Sequence, residues 1–221
     1  MIKTISPRGV GSRIDWRLCF IADIEALAGM DVLQIIVEAV AGGSTIIQLR
    51  TKKRATREFL QIGMKAVELL RPRKIPLIIN DRVDIALACE ADGVHLGQAD
   101  MPLPWARKIL GKEKLIGITA STLAEAIEAE KEGADYVGVG PIFKTSSKED
   151  VPPVLGLDGV REIRAKIGLP VLAIGGISVA NAGQVMAAGA DGIAVISAIA
   201  SATNPRQAAT ELIEAIGKIH L

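Results

Sequence analysis

Short runs of β-branched and other apolar residues alternate with longer amphipathic stretches along the whole chain. Short apolar runs are typical of strands buried on both faces, and apolar residues that recur every three or four positions are typical of helices. The predicted strands are Leu18–Ala22, Thr45–Leu49, Leu77–Ile79, Gly93–Leu96, Leu115–Thr119, Tyr136–Val139, Val171–Ile174 and Ile193–Ile196. The predicted helices are Val32–Ala41, Thr56–Leu70, Val83–Ala88, Pro104–Leu110, Leu123–Glu132, Gly159–Ile167, Ala180–Ala188 and Pro205–Ile219.

This succession of βα units favours one architecture. Eight parallel strands joined by right-handed crossovers close into a barrel, which needs roughly 200–250 residues. An open doubly wound sheet is the alternative, but no G-x-G-x-x-G motif follows the first predicted strand. We therefore predict an α/β fold, a single (β/α)8 TIM barrel over residues 16–221, with an N-terminal extension over residues 1–15.

A second pattern recurs at twice the length of one βα unit. Small residues, often ending in Asp, stand before every even-numbered strand in the segments Ala41–Ser44, Ala91–Gly93, Gly133–Asp135 and Gly189–Asp191. Glycine can end a helix in the left-handed conformation, and the following turn returns the chain to the amino-terminal face of a barrel. We predict a structural role for these segments and no chemistry.

Composition narrows the class of protein. The chain has 26 basic and 25 acidic side chains, a balance that argues against wholesale binding to nucleic acid or to an anionic membrane. Cys19 and Cys89 have no CxxC spacing, so two buried thiols are expected rather than a disulfide or a zinc site. No apolar run reaches the roughly 18 residues of a membrane span, and no signal peptide is evident, so we expect a cytoplasmic protein.

Polar and charged residues follow the predicted strands one after another. In (β/α)8 barrels the active site is built from the loops after the strands, at the carboxyl-terminal face. The segments are Gln48–Lys52 after the second strand, Asn80–Asp81 after the third, His95–Asp100 from the fourth, Thr119 on the fifth, Gly140–Lys148 after the sixth, Gly175–Gly176 after the seventh and Ser197 after the eighth. These loops meet at one rim, so we expect the polar residues to surround one pocket.

Each of these residues also has an ordinary structural explanation. Arg50 and Lys52 could be solvated loop charges, and Asp81 could cap a helix that begins one residue later. His95 could be a hydrogen-bonded core histidine, Asp100 could start a turn, and the glycine pair could be a tight connection. Their convergence on one rim is what these explanations do not predict.

Two ligand subsites follow from the residue types. Gly175–Gly176 and Ser197 match the usual phosphate site of such barrels, where backbone N–H groups bind phosphoryl oxygens. Asp81 and Asp100 offer carboxylate oxygens on adjacent strands, which suit a magnesium ion that keeps several waters and holds a phosphorylated substrate.

Three cations add to the charge around the same mouth, namely Arg50, Lys52 and Lys148. A single phosphate would not need a magnesium ion and three cations. A diphosphate leaving group would, because negative charge builds on it as the bond breaks.

Six ordered motifs carry a resemblance to a known family. They are Gln48–Lys52, Ile79–Asp81, Asp92–Asp100, Gly138–Phe143, Ala173–Ile177 and Ile196–Ile199. With these motifs the chain resembles the thiamine phosphate synthases from about Leu18 to its carboxyl terminus. The resemblance implies a transferase that joins a pyrimidine diphosphate, 4-amino-2-methyl-5-(diphosphooxymethyl)pyrimidine, to a thiazole phosphate, 4-methyl-5-(2-phosphooxyethyl)thiazole. It also implies Mg²⁺ as cofactor, diphosphate as second product and these small molecules as the partners, with homo-oligomer formation left open.

The resemblance assigns roles residue by residue. Arg50, Lys52 and Lys148 would be catalytic, and Asp81 and Asp100 would hold magnesium. The residues implied in substrate binding are Gln48, Leu49, Arg50, Thr51, Lys52, Asn80, Thr119, Thr145, Ser146, Ser147, Lys148, Gly176, Ile196 and Ser197. The implied route is a dissociative displacement, in which diphosphate leaves before the thiazole nitrogen attacks, so no protein nucleophile is needed.

The chain departs from the family pattern at a few positions. Thr51 stands where Glu is frequent, Thr119 where Ser is usual, Lys144 where Pro is common and Ser147 where Thr is common. These changes bear on affinity more than on activity, since the hydroxyl groups are kept.

Two rival functions remain. A sibling thiazole tautomerase carries His where Pro141 stands and lacks both metal aspartates, whereas Asp81 and Asp100 are present here. A catalytically silent barrel that binds a ligand is the other rival, and the fold alone never excludes it.

Overall fold

The computed structural model describes residues 14–145 and 153–217, and these residues form the predicted barrel. All neighbouring strands pair in parallel, and the last strand pairs with the first to close the sheet in sequence order. The strands are β1 (Leu18–Asp23), β2 (Ile46–Arg50), β3 (Leu77–Asn80), β4 (Gly93–Leu96), β5 (Leu115–Ala120), β6 (Tyr136–Val139), β7 (Val171–Ile174) and β8 (Gly192–Val195). The (β/α)8 prediction is therefore confirmed.

Helices surround the barrel and link its strands. They are α1 (Val32–Ala41), α2 (Thr56–Leu70), α3 (Val83–Ala88), α4 (Leu103–Leu110), α5 (Leu123–Glu132), α6 (Gly156–Lys166), α7 (Val179–Ala187), α8 (Ser197–Ala200) and α9 (Pro205–Gly217). The sequence pattern missed α8 and the 3-10 turn Arg71–Arg73, because three or four residues are too few to show helical periodicity. Helix α6 also begins earlier than predicted, at Gly156 rather than Gly159.

Apolar side chains fill two separate layers. The larger layer lies between the strands and the helices. Along every strand except β4 its members alternate with those of the smaller layer inside the barrel. The inner layer consists of Cys19, Ile21, Ile46, Ile78, Leu115, Tyr136, Leu172, Ala194 and Ile196. Trp16 packs on this layer, with its ring centroid 5.0 Å from that of Tyr136. Among the described residues the barrel interior is thus a packed core, and the main cavity lies at its carboxyl-terminal end.

Two glycines make room for large side chains inside the barrel. A Cβ at Gly117 would lie 2.1 Å from Cζ of Tyr136, and one at Gly138 would lie 2.9 Å from Cε1 of His95. Any larger residue at these two positions would overlap the rings. The glycines therefore fix where Tyr136 and His95 lie beneath the carboxyl-terminal face.

The segments before the even-numbered strands clamp the barrel at its amino-terminal end. The residue directly before each of these strands accepts a backbone N–H from the start of the preceding strand and donates its own N–H to the same residue. Three of these residues end or lie within the segments, and Thr45 directly follows the first segment. The side-chain bonds run from Leu18 N to Thr45 Oγ1 (3.0 Å), Leu77 N to Asp92 Oδ2 (2.8 Å), Ile116 N to Asp135 Oδ2 (2.8 Å) and Val171 N to Asp191 Oδ2 (2.9 Å). This accounts for the repeat in structural terms, as predicted.

The cysteines and the helices of the described residues can be compared with what the composition predicts. Cys19 and Cys89 are free and buried, as predicted. Within residues 14–145 and 153–217, the helices are too short or too polar to cross a membrane.

Candidate active site

A cavity of about 820 Å³ opens at the carboxyl ends of the strands. Its wall is built from loops around the whole rim, as expected for this fold. The predicted site residues that line it are Arg50, Lys52, Asn80, Asp81, Asp100, Thr119, Thr145, Gly176, Ile196 and Ser197. The closed barrel thus brings together residues that lie far apart in sequence.

Two of the cations that line the cavity, at the end of β2 and in the loop after it, pair with carboxylates. Nη1 of Arg50 donates to Oδ2 of Asp23, and Nζ of Lys52 donates to Oδ2 of Asp81. The side chain of Arg50 is 13% exposed, whereas that of Lys52 is 52% exposed. Arg50 therefore lies within the wall of the cavity, whereas Lys52 lies at its more exposed edge and contacts the loop after the neighbouring strand.

The two aspartates predicted as metal ligands face each other. The pKa of Asp100 is raised, first by partial burial and then by Asp81, which lies within hydrogen-bonding reach and repels its negative charge. The N–H of Gly97, which donates to Oδ2 of Asp100 at 2.6 Å, and the charge of Lys52 act in the opposite direction. Carboxylates that repel each other across a short gap favour a cation between them.

Asp81 has an unusual backbone conformation, with φ at 63° in the left-handed region. Helix α3 begins at Val83, and its N-cap is Arg82, which makes no side-chain capping bond. The alternative that Asp81 caps this helix is therefore wrong. Its carboxylate is engaged by Lys52 instead, and left-handed backbone at a residue other than glycine is often found at functional sites.

A hydrogen-bonded chain runs from the wall of the cavity into the barrel. Nε2 of His95 is 2.9 Å from Oγ1 of Thr119, and Nδ1 of His95 is 3.0 Å from the hydroxyl oxygen of Tyr136. Gln98 adds a bond from Nε2 to the backbone oxygen of Thr119, at 2.6 Å. The Thr119 hydroxyl oxygen therefore lies beside the His95 ring at the cavity surface.

Two side-chain amides lie close to this chain. Gln48 and Asn80 are buried, and both line a small cavity of about 20 Å³ beneath the main one. Neither amide group bonds to another described residue. Buried amides usually have partners, so these two groups are available to a polar ring or a water molecule at the floor.

The opposite side of the cavity is formed by the loops after β6 and β7, which are locked together. Ile142 N donates to Ile174 O (2.9 Å), and Phe143 N donates to Gly175 O (3.0 Å). Gly176 has φ at 63°, and a Cβ there would lie 2.5 Å from the carbonyl oxygen of Lys144. Only glycine fits this close approach, which places its backbone beside α8 in the cavity wall.

Comparison with known proteins decides the family. The family model described as thiamine monophosphate synthase matches residues 18–199. A thiamine-phosphate synthase of Chloroflexus aurantiacus is 48% identical over 199 residues, covering 90% of this chain and 92% of that protein. One from Clostridium novyi is 51% identical over 186 residues, covering 84% of this chain and 91% of that protein. The chain belongs to the thiamine monophosphate synthase family.

A solved structure agrees with this assignment. Thiamine phosphate pyrophosphorylase from Pyrococcus furiosus superposes with a TM-score of 0.85 at 40% sequence identity, covering 93% of this chain and 97% of that one. The resemblance inferred from the sequence motifs is therefore confirmed, both in sequence and in fold.

Some residues that the family motifs single out have side chains away from the main cavity. Leu49 is fully buried in the layer between strands and helices, so its side chain lies outside the barrel and away from the cavity. Thr51 is buried, and its hydroxyl donates to Oε1 of Glu25 at 2.6 Å. Gln48 lines the lower cavity only. Ser146, Ser147 and Lys148 lie outside the described residues.

Residues of the first loop also line the cavity, and the sequence reasoning missed them. Asp23 ends β1, and Glu25 follows two residues later. A polar residue at the end of a strand marks the rim of the barrel, and Asp23 is such a residue. The sequence pattern predicts that the first strand ends at Ala22, one residue before its end in the structure, and so leaves Asp23 out of the strand.

Proposed function

We propose that this chain joins the pyrimidine diphosphate to the thiazole phosphate, giving thiamine phosphate and diphosphate. One observation carries the proposal: Arg50, Lys52, Asp81 and Asp100 share one side of a cavity whose other side is the glycine-rich loop at Gly176. That arrangement offers a place for a charged leaving group and a separate place for a phosphate.

The leaving group would bind on the side of β2, β3 and β4. Arg50 is anchored at one nitrogen, so its other N–H groups can contact diphosphate oxygens. Lys52 would exchange its bond to Asp81 for a bond to a diphosphate oxygen. The amides of Gln48 and Asn80 and the hydroxyl of Thr119 would contact the pyrimidine ring, as the family motifs imply.

The residues present fit a magnesium ion at the same place. Asp81 and Asp100 provide hard carboxylate oxygens, and the repulsion between their negative charges would be relieved by a bound cation. Two carboxylates fill only part of an octahedral coordination shell, so water and diphosphate oxygens would supply the other ligands. When bound, magnesium would neutralise charge that develops on the departing diphosphate.

The bond changes need no protein nucleophile. The bond between the methylene carbon and the diphosphate oxygen breaks, and the electron pair leaves with diphosphate. The electron-rich aminopyrimidine stabilises the cation, and the lone pair of the thiazole nitrogen forms the new C–N bond. Cys19 supplies no nucleophile, because burial inside the barrel raises the pKa of its thiol to about 12.

The thiazole phosphate would bind on the side of β7 and β8. Gly176 and Ser197, the first residue of α8, line the cavity there. Helix starts have N–H groups without intrahelical partners, and these bind phosphoryl oxygens well. Thr145 lies on the same wall, and the family motifs extend this proposed loop to Ser146, Ser147 and Lys148.

A product assay tests the proposal. The purified protein is incubated with both substrates and Mg²⁺, and thiamine phosphate is measured by mass spectrometry while diphosphate is measured by a coupled assay. We expect the two products in equal amounts, and neither when one substrate is omitted. Formation of no thiamine phosphate, or release of diphosphate without the thiazole, would contradict the proposal.

A further inference from the structure

The first loop holds a buried carboxylate in a fixed position. Asp23 is 3% exposed, and its Oδ1 accepts the backbone N–H groups of Glu25 (3.0 Å) and Ala26 (3.1 Å). Its other oxygen accepts from Arg50. The two backbone bonds therefore fix the Asp23 carboxylate, and this carboxylate holds the guanidinium of Arg50.

Arg50 is bound by one edge only. It stands opposite Asp23 in the register of β1 and β2, and its carbonyl oxygen accepts from Ile24 N at 2.8 Å. Within the described residues, Nη1 is the one guanidinium nitrogen of Arg50 that has a protein partner, and the side chain lines the cavity. A planar guanidinium held at one nitrogen presents its remaining donors in a defined direction.

Glu25 ties the following residues of the second loop to the first loop. Its Oε1 accepts from the hydroxyl of Thr51 at 2.6 Å, and its Oε2 accepts from Lys52 N at 3.0 Å. Burial raises the pKa of Glu25, but the bonds from Thr51 and from the N–H groups of Lys52 and Lys53 outweigh it, so the pKa is lowered overall. The backbone that carries Lys52 is thus held by a charged acceptor.

We infer that Asp23 and Glu25 are positioning residues for the diphosphate-binding cations. Asp23 sets the direction of the Arg50 donors, and Glu25 sets the backbone from which Lys52 reaches the cavity. This inference rests on the proposed function for the identity of the ligand. Neither carboxylate is offered as a metal ligand or as a group that touches the reacting atoms.

Asp23→Asn tests the inference, because the amide oxygen keeps the turn but the charge that holds Arg50 is lost. We expect kcat/KM for the pyrimidine diphosphate to fall about 10²-fold, as when a preorganised charged group is misplaced. The dissociation constant of the thiazole phosphate, measured by calorimetry, should change less than about twofold. Asp31→Asn is the matched control, since Asp31 also accepts two backbone N–H groups but pairs with no cation in the described structure.

A double-mutant cycle separates positioning from a general loss of structure. Arg50→Ala is compared with the double variant Asp23→Asn/Arg50→Ala. If Asp23 acts through Arg50, its substitution should change kcat/KM less than about threefold once Arg50 is gone. Losses that multiply fully would overturn the inference for Asp23.

Glu25 provides a second test that does not depend on the folding of Asp23→Asn. Glu25→Ala should raise KM for the pyrimidine diphosphate severalfold, because the segment at Lys52 loses its acceptor. Glu25→Gln should restore most of the affinity, since a neutral oxygen still accepts the same N–H. Wild-type KM in Glu25→Ala would overturn the inference for Glu25.

Binding of inorganic diphosphate distinguishes failure here from failure of the proposed function. If the wild-type protein makes no thiamine phosphate, the proposed function fails, but calorimetry with diphosphate and Mg²⁺ still tests the positioning role. We expect at least tenfold weaker diphosphate binding by Asp23→Asn than by Asp31→Asn. Equal affinities would overturn the inference whatever the activity.

Discussion

The hydroxyl of Tyr136 lies 3.0 Å from Nδ1 of His95, deep inside the barrel. Tyr136 is buried, and His95 is the hydrogen-bond partner that the described structure gives its hydroxyl. A buried O–H needs an acceptor, which Nδ1 of a neutral His95 provides; in that tautomer Nε2 carries the ring hydrogen and donates to Thr119. The hydrogen of the Thr119 hydroxyl is left for a ligand in the cavity.

Removal of the Thr119 hydroxyl should therefore weaken substrate binding. Thr119→Val keeps the volume but removes both the donor to the ligand and the acceptor for His95. We expect KM for the pyrimidine diphosphate to rise about tenfold, which corresponds to one lost hydrogen bond of about 1.4 kcal/mol. Thr119→Ser is the control and should stay within about threefold of wild type. Equal KM values in steady-state assays of the two variants would contradict this role.

The space beneath the site depends on Gly117. A Cβ there would lie 2.1 Å from Cζ of Tyr136, inside the ring's contact distance. Gly117→Ala should therefore lower the free energy of unfolding by about 3 kcal/mol or more, at the upper end of overpacking effects. Urea unfolding measures this, and Gly183→Ala, whose Cβ would be 3.5 Å from its nearest atom, is the control. A loss no larger than that of the control would show that Tyr136 relaxes freely.

Gly176 should affect the two substrates differently. In Gly176→Ala the new Cβ would lie 2.5 Å from Lys144 O and 2.8 Å from Phe143 Cβ, so the start of the sixth loop must move. We expect about tenfold weaker binding of the thiazole phosphate and little change for the pyrimidine diphosphate, each titrated by calorimetry. Gly133→Ala controls for backbone strain, because Gly133 also has positive φ but its Cβ meets nothing. Equal weakening for both ligands would place the phosphate subsite elsewhere.

Cys19 should make stability depend on pH in alkaline solution. Its pKa is raised from 9.0 in the unfolded chain to about 12 by burial, so the folded state keeps the proton longer. The stability from this difference is complete below pH 9 and is lost as the pH rises from about 9 to 12. Between pH 8 and 10 wild type should lose about 1.4 kcal/mol more than Cys19→Ala, from urea unfolding at each pH. Equal losses would mean that the thiol ionises in the folded barrel.

The sequence was sufficient for the barrel because its strands are buried on both faces. Seven of the predicted helices and strands, for example Thr56–Leu70 and Gly93–Leu96, have the bounds that the structure gives, so they could be read without reference to tertiary contacts. The carboxyl-terminal end of a strand is missed by one residue where its last residue is polar, as at Asp23 and Arg50. Helix α8 was missed because tertiary packing, rather than periodicity, determines so short a helix.

Several residues that line the cavity were predictable from the sequence, but their contacts were not. The rim positions of Asp81, Asp100 and Arg50 follow from their place after strands in any closed barrel. The bond from Lys52 to Asp81, by contrast, depends on the left-handed backbone of Asp81, which no local pattern indicates. The support that Glu25 gives to Thr51 joins two loops 26 positions apart and is visible only in three dimensions.

The central claim is that Asp81 and Asp100 hold the magnesium ion used when diphosphate departs. Asn at either position keeps an oxygen acceptor, and Asn also tolerates the left-handed backbone at position 81, so folding should be preserved. The loss of charge should weaken binding of the metal, and at position 81 it also removes the ion pair with Lys52.

The decisive measurement is the initial rate of thiamine phosphate formation as a function of Mg²⁺ concentration in wild type, Asp81→Asn, Asp100→Asn and the double variant. We predict losses of about 10²–10³-fold for each single variant at limiting Mg²⁺, with partial recovery at high Mg²⁺ and near-native melting temperatures. The double variant should lose less than the product of the single losses, because both side chains act on one ion. Wild-type rates in both single variants at limiting Mg²⁺ would contradict the account.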